Sequence, residues 1–247
     1  MQKRIWLVAL VAVVLLSGGA AWADDGFYVI GGGGGGVGTK ITSLPYTITT
    51  PGFYYLGRNL EHSGDGDAIL IYADNVTLDL MGCSLTYTGA SSFADGISMI
   101  TRKNVEIRNG TISGFYISVH EVTYGLANQR VINIRANYNT HVGIALSGNN
   151  SLVRDCTASN NSGGGIYVYS GTITGCVAAD NGGSGVAMTG PGSLLDNIAT
   201  NTTTTGTTGF SIGSATKILV DGNSAAGNGT NYTAGGAGTV WGVNAGR

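Results

Sequence analysis

Short apolar–x–apolar alternations recur along most of the chain, many of them opened by glycine. They read Gly96-Ile97-Ser98-Met99, Tyr116-Ile117-Ser118-Val119, Gly143-Ile144-Ala145-Leu146, Gly165-Ile166-Tyr167-Val168, Gly185-Val186-Ala187-Met188 and Gly209-Phe210-Ser211-Ile212. The first apolar members are separated by 20, 27, 22, 20 and 24 residues. A second series runs out of phase with the first. Its members include Val76-Thr77-Leu78-Asp79-Leu80, Val105-Glu106-Ile107-Arg108, Ile132-Asn133-Ile134-Arg135, Val153-Arg154-Asp155-Cys156 and Ile173-Thr174-Gly175-Cys176. A period of two is that of a strand with one side buried. Each repeat therefore holds at least two short strands separated by Gly, Asn and Ser. It is too long for one strand of a meander and has no helical half. Such a repeat buries all its inward positions as an all-β parallel β-helix, with roughly eight coils between Pro45 and Asn223.

Composition narrows the alternatives. Of 247 residues, 43 are Gly, 27 Thr and 19 Asn, with only 3 Pro and 11% charged residues. Collagen needs Gly at every third position with abundant Pro. Long helices are opposed by Gly, Thr and Asn, and 43% apolar residues argue against disorder. The first 23 residues read as an export signal. Lys3 and Arg4 precede an apolar run from Ile5 to Leu16, and Ala21-Trp22-Ala23 fits the small-x-small cleavage rule. Residues 24–42 contain the six-glycine run Gly31 to Gly36 and read as a flexible linker. The β-helix is expected over 43–223, and 224–247 as a cap or frayed tail. The mild negative charge argues against nucleic acid, and no later apolar run is long enough to span a membrane.

Cys83, Cys156 and Cys176 leave at least one thiol unpaired. Cys156 and Cys176 are one repeat apart and are expected to stack inward on neighbouring rungs, either as a disulfide or as buried thiols. Asn160, Asn161, Asn181 and Asn201 fall at the following turn, where left-handed geometry and stacked amides favour Asn. No His or Cys spacing suggests zinc, and no cofactor is expected.

The runs Asp74-Asn75-Val76-Thr77-Leu78-Asp79-Leu80 and Asn104-Val105-Glu106-Ile107-Arg108-Asn109-Gly110-Thr111 are similar to the repeat of the right-handed parallel β-helix proteins of the pectin-lyase-like superfamily. The resemblance spans about 180 residues from Ser43. It implies the fold, and it implies a place among polysaccharide lyases, hydrolases, epimerases, adhesins and phage tailspikes. That range of activities leaves function to individual residues. The superfamily's paired-Asp plus Gly-His-Gly hydrolase pattern, its Asp-Pro-His-Glu epimerase motif and a calcium-binding Asp cluster are all absent.

Chemistry on such a rod sits in vertical columns of outward side chains. One column is expected to run Ser98, Ser118, Ala145, Tyr167, Ala187 and Ser211. Another runs Ile100, His120, Ser147, Tyr169, Thr189 and Gly213, with no carboxylate flanking His120. A third runs Asp79, Arg108, Arg135, Arg154, Thr174, Asp196 and Asp221. Tyr167 and Tyr169 are candidates for stacking on sugar rings. Arg108, Arg135 and Arg154, on successive rungs, match the charge repeat of an acidic polysaccharide, unless Asp79, Glu106 and Asp155 balance them. The 27-residue interval from Ile117 to Ile144 marks a protruding loop containing Glu121 and Tyr124. The expectation is a secreted, cell-surface or periplasmic module that binds a polysaccharide or surface glycan without catalysis, with self-association through its ends. The alternative is a calcium-independent lyase or epimerase of acidic glycans using Arg108 or Arg135 with His120.

Overall fold

The computed structural model describes residues 38–90, 93–122, 125, 127–202, 207–213, 217–233 and 235–247. The export signal, the six-glycine run and Tyr124 lie outside the described residues. All regular structure among the described residues is strand, and nearly every pairing is between parallel strands one coil apart. Eight complete three-sided coils are formed, with a partial coil at each end.

Face one stacks Gly52–Leu56, Val76–Asp79, the first part of Glu106–Ser113, the first part of Arg130–Asn137, Ser151–Arg154, Gly171–Thr174, Gly192–Leu195 and Ile218–Asp221. Face two stacks Leu60–His62, Ser84–Tyr87, the later parts of the same two long strands, then Thr157–Ser159, Val177–Ala179, Ile198–Thr200 and Ser224–Ala226. Face three stacks Tyr46–Ile48, Ile69–Ile71, Ile97–Ile100, Ile117–Val122, Val142–Leu146, Ile166–Val168, Val186–Met188, Thr208–Ile212 and Thr230–Tyr232. The ladders continue past Asn223 through Thr230–Tyr232 and Val240–Trp241.

Corners explain the composition. Between faces one and two the chain turns through a positive-φ residue in successive coils: Asn109, Asn133, Asp155, Gly175, Asp196 and Gly222. Between faces two and three the same task falls to Gly114, Tyr138, Asn160, Asp180, Asn201 and Gly227. Asn, Asp and Gly tolerate this left-handed conformation best, so a repeat with such corners selects them. The glycines that open face three serve another purpose. A Cβ on Gly165 would lie 2.5 Å from the Gly185 carbonyl oxygen and 3.1 Å from the Ala178 Cβ, so only glycine lets this corner close.

Inward residues form continuous apolar columns. Face one contributes Leu78, Ile107, Val131, Val153, Ile173, Leu194 and Val220, and face three contributes Ile97, Val119, Ile144, Ile166, Val186 and Phe210, all buried. Face two contributes Leu85 and Ile112, then only alanines: Ala136, Ala158, Ala178, Ala199 and Ala225.

Two polar ladders run through this interior. Asn161 Oδ1 accepts from the Asn139 backbone N–H at 3.0 Å and from Asn139 Nδ2 at 2.7 Å. Its own amide donates to Asn181 Oδ1 at 2.9 Å and to the Ala136 carbonyl at 3.1 Å. Asn160 and Asn201 take the left-handed corners, while Asn161 and Asn181 are the buried amides. In the second ladder Asn197 accepts from Cys176 N–H, and Asn223 from Asn197 N–H. Cys156 and Cys176 continue that column as free thiols. The Cys156 sulfur receives the Ile134 N–H at 3.5 Å, the place an amide oxygen holds elsewhere. The hydrogen bond with Cys176, together with burial, holds the Cys156 thiol well above its usual range. Every buried side-chain N or O among the described residues has a partner.

One carboxylate also enters the interior. Glu121 takes a place in the inner column of face three, between Met99 and Leu146, and is 0% exposed. It accepts from Gln129 Nε2 and from the Gly148 N–H, both at 2.9 Å. Burial pushes its carboxyl above the usual carboxylate range, against the pull of these donors.

Asn161→Leu strands the Asn139 donors and the Ala136 carbonyl. At about 1–3 kcal/mol per stranded group, partly relieved by local relaxation, the chain loses about 3 kcal/mol in urea denaturation. Glu121 predicts a pH trend. Its folded pKa is raised, so the folded chain holds the proton more tightly than the unfolded chain. The contribution to stability therefore falls as pH rises from the ordinary value of 4.5 through the raised folded one. Stability of the wild type relative to Glu121→Gln, measured by denaturation across that window, declines with rising pH; a flat difference contradicts the assignment.

Candidate functional site

Register decides which outward side chains meet, and on face three it differs from the sequence expectation. Ile97 pairs with Val119, not Ile117, and His120 stands level with Ser98 and Ala145. The outer column is therefore Leu70, Ser98, His120, Ala145, Tyr167, Ala187 and Ser211. Val122 takes the place beside Ile100 that was expected for His120. Ser118 drops out altogether. It is buried at the corner, level with the glycines that open the other coils, and its hydroxyl donates to the Ile112 carbonyl at 3.0 Å. A slip of two residues preserves the inward–outward alternation, so period-two patterning cannot detect it.

The column of His120 holds no carboxylate, but one reaches the imidazole from outside it. Asp95, at the turn two residues before Ile97, places Oδ2 2.6 Å from His120 Nδ1. Asp95 is 6% exposed, and its other oxygen accepts the Ile117 N–H at 3.1 Å. Its own N–H donates to Asp67 Oδ1 on the preceding coil. Burial pushes the Asp95 carboxyl above its usual range, the hydrogen bond and charge of His120 oppose this, and the Asp67 charge adds to it. Among the described residues nothing bonds His120 Nε2, and the His120 side chain is 27% exposed. Asp95 gave no sequence signal because it precedes the alternating triplet. Its link to His120 spans 25 residues.

Apolar surface flanks this pair. At the corner leading into face three, Tyr116 stacks on His141 with ring centroids 4.7 Å apart and an interplanar angle of 7°. The exposed Phe93 lies 5.5 Å from Tyr116. At the other edge of the face, Tyr72, Ile100 and Val122 are exposed on three consecutive coils. Tyr167 and Tyr169 lie further along the rod, on either side of the buried Val168, and the Tyr167 hydroxyl is 3.0 Å from Thr189 Oγ1. Next to Tyr169, Ser170 lines an open groove of about 580 Å³ with Ser151, Thr172 and Ser193. Phe93, His141 and Tyr72 were not singled out in the sequence, because each stands outside the alternating triplets, and Tyr116 entered only as the residue that opens one of them.

The arginine trio is not assembled. Arg108 pairs with Ile132 on the next coil, and Ile132 with Arg154, so a hydrophobic residue separates the two arginines. Arg135 is on face two, level with Thr111 and Thr157. Sequence pattern favoured Arg135 because Ile132-Asn133-Ile134-Arg135 mimics a strand. The left-handed turn at Asn133 instead divides it between two faces. The arginines of face one are also neutralised. Arg108 Nε is 2.6 Å from Asp79 and its Nη1 2.7 Å from Glu106. Arg130 reaches the other oxygen of Glu106 at 3.1 Å, and Arg154 lies 3.3 Å from Asp155. With His120 on face three, neither Arg108 nor Arg135 shares a surface with it. No group of three or more His, Cys, Asp or Glu residues among the described residues is arranged to hold a metal ion.

Two solved structures are similar to this chain. The A-module of the Azotobacter vinelandii mannuronan C-5 epimerase AlgE4 is 12% identical, with 78% of each chain covered and a TM-score of 0.44. The full-length tailspike protein 2 of the Escherichia coli O157:H7 bacteriophage CAB120 is 14% identical, with 73% of this chain and 34% of that one covered and a TM-score of 0.30. No curated protein matches significantly. The right handed beta helix region family matches residues 57–203, more than half of the chain. With its coils, stacked corners and inward ladders in place, the chain belongs to the right-handed parallel β-helix family.

Proposed function

We propose that this chain is an exported β-helix, secreted, periplasmic or displayed at the cell surface, that binds a polysaccharide or surface glycan along face three. The observation that carries the reading is the placement of aromatic side chains around one polar centre. Tyr116 and His141 lie at one edge, Tyr72 at the other, and Tyr167 and Tyr169 further along the rod. Sugar rings present apolar C–H faces that pack on aromatic rings, while their hydroxyls need scattered hydrogen-bonding partners. The hydroxyl-lined groove at the corner after Tyr169, where the face-one strands begin, offers those partners at the edge of the face. The strands of face three contain no Lys or Arg, and Arg102 at its edge is turned onto the Ile100 and Tyr72 carbonyls, so an uncharged glycan fits this surface better than the acidic polymer matched to an arginine ladder. Export rests on the pattern of residues 1–23.

The Asp95–His120 pair favours a second reading in which the bound glycan is also transformed. The calcium-independent lyase or epimerase loses the arginines expected to assist it, because both lie on other faces.

Affinity electrophoresis against a panel of neutral and acidic polysaccharides tests the binding reading. Retardation by a neutral polymer is expected to change little with salt and to weaken about tenfold in Tyr167→Ala, the loss of about 1.4 kcal/mol of stacking. Retardation only by acidic polymers, abolished by salt and by Arg154→Ala, would move the site to face one.

A further inference from the structure

We propose that Asp95 and His120 form a proton-transfer site that hydrolyses ester groups, such as O-acyl substituents, on the glycan bound to face three. The inference rests on the glycan reading and adds a reaction to it. His120 is the base. With Asp95 ionised, the 2.6 Å contact places the imidazole proton on Nδ1 and leaves the Nε2 lone pair without a protein partner among the described residues. Asp95 is a positioning residue: the Ile117 N–H and the Asp67 contact hold it from behind, so the imidazole ring has one preferred orientation.

The surrounding charges select the chemistry. Asp95 touches His120, Asp67 bonds to Asp95 from the preceding coil, and Glu121 is the next residue, buried behind the strand. His141 approaches only through its stack on Tyr116. A uronate carboxylate beside His120 would face these acidic groups with no Arg or Lys from the strands of face three to neutralise it. Proton abstraction next to a carboxylate is therefore disfavoured. Hydrolysis of a glycosidic bond needs two carboxyl groups facing the bond from opposite sides. Here Asp95 bonds to the imidazole and Glu121 is fully buried. A neutral ester brings no charge for these acidic groups to repel, and the attacking water needs a base that can return its proton.

The steps balance without a further reactant. Nε2 takes a proton from water as the water oxygen bonds to the ester carbonyl carbon. The tetrahedral adduct then collapses, the bond from the acyl carbon to the sugar oxygen breaks, and the imidazolium returns its proton to that oxygen. A carboxylic acid and a free sugar hydroxyl leave.

The test uses the chain lacking residues 1–23, with p-nitrophenyl acetate and O-acetylated glucomannan as probes, and circular dichroism to verify the fold of each variant. Wild type is expected to release acetate from both with saturable kinetics. His120→Ala is expected to lose at least about 100-fold in kcat/KM and to regain part of it with added imidazole. Asp95→Asn is expected to lower kcat about tenfold with KM nearly unchanged, and to shift the pH–rate profile. Equal rates in folded wild type and His120→Ala, or no acetate release while polysaccharide retardation persists, would overturn the esterase assignment and leave the binding reading standing. His120-dependent hydrolysis of p-nitrophenyl acetate with no retardation by any polysaccharide would overturn the glycan reading instead.

Discussion

A parallel coil can repeat only if each of its corners turns at the same height, because any drift would unpair the backbone ladder of the next rung. In this chain the constraint is met by stacked left-handed corners, such as Asn109, Asn133, Asp155, Gly175, Asp196 and Gly222, and by amides buried just inside them. Asn139, Asn161 and Asn181 pass hydrogen bonds from coil to coil, and the Asn197–Asn223 ladder does the same at the other corner. Each buried amide is costly alone and inexpensive in a stack, since its neighbours supply the partners that water would otherwise provide. Cys156 and Cys176 belong to the second ladder, which accounts for their spacing without a crosslink.

Once the corners are level, outward side chains fall into columns about 4.8 Å apart, and the surface becomes a lattice whose content depends on register. Face one uses that lattice for ion pairs: Asp79, Arg108, Glu106 and Arg130 form a connected set that satisfies its own charge. Face three keeps aromatic and aliphatic groups exposed and concentrates its polarity at Asp95 and His120. The coil that carries His120 is also the one that buries Glu121. Through Gln129 this carboxylate ties the long connection after face three back to the inner wall. A buried acid adjacent to the imidazole that Asp95 holds is a local departure from the apolar economy of the other coils.

Much of the architecture was legible without coordinates. Faces one and three alternate large aliphatic residues with polar ones, and their spacing near one coil length leaves few other folds. Face two was not seen, because its inward side chains from Ala136 onward are alanines in three-residue strands such as Thr157–Ser159 and Val177–Ala179. Alanine gives too little contrast with its neighbours for a period of two to register. The alanines lie against the glycines that open face three: a Cβ added at Gly143 or Gly165 would come within 3.0 or 3.1 Å of the Ala158 or Ala178 Cβ.

The amino-acid sequence by itself determined that the chain winds into a β-helix, that Ile144, Ile166 and Val186 superpose, and that Asn and Gly gather at the turns. These follow from local alternation and from the backbone preferences of single residues. Asp155 and Asp196, by contrast, read as strand residues and proved to be corners. Only the tertiary structure decided which outward side chains share a column. Moving Ile117–Val122 by two residues keeps every side chain on its own side of the sheet, so alternation is indifferent to it, while the packing of Val119 against Ile97 and the burial of Ser118 at the corner are not. That choice of register aligned His120 with Ser98 and brought it to Asp95, and the turn at Asn133 placed Arg135 on another face.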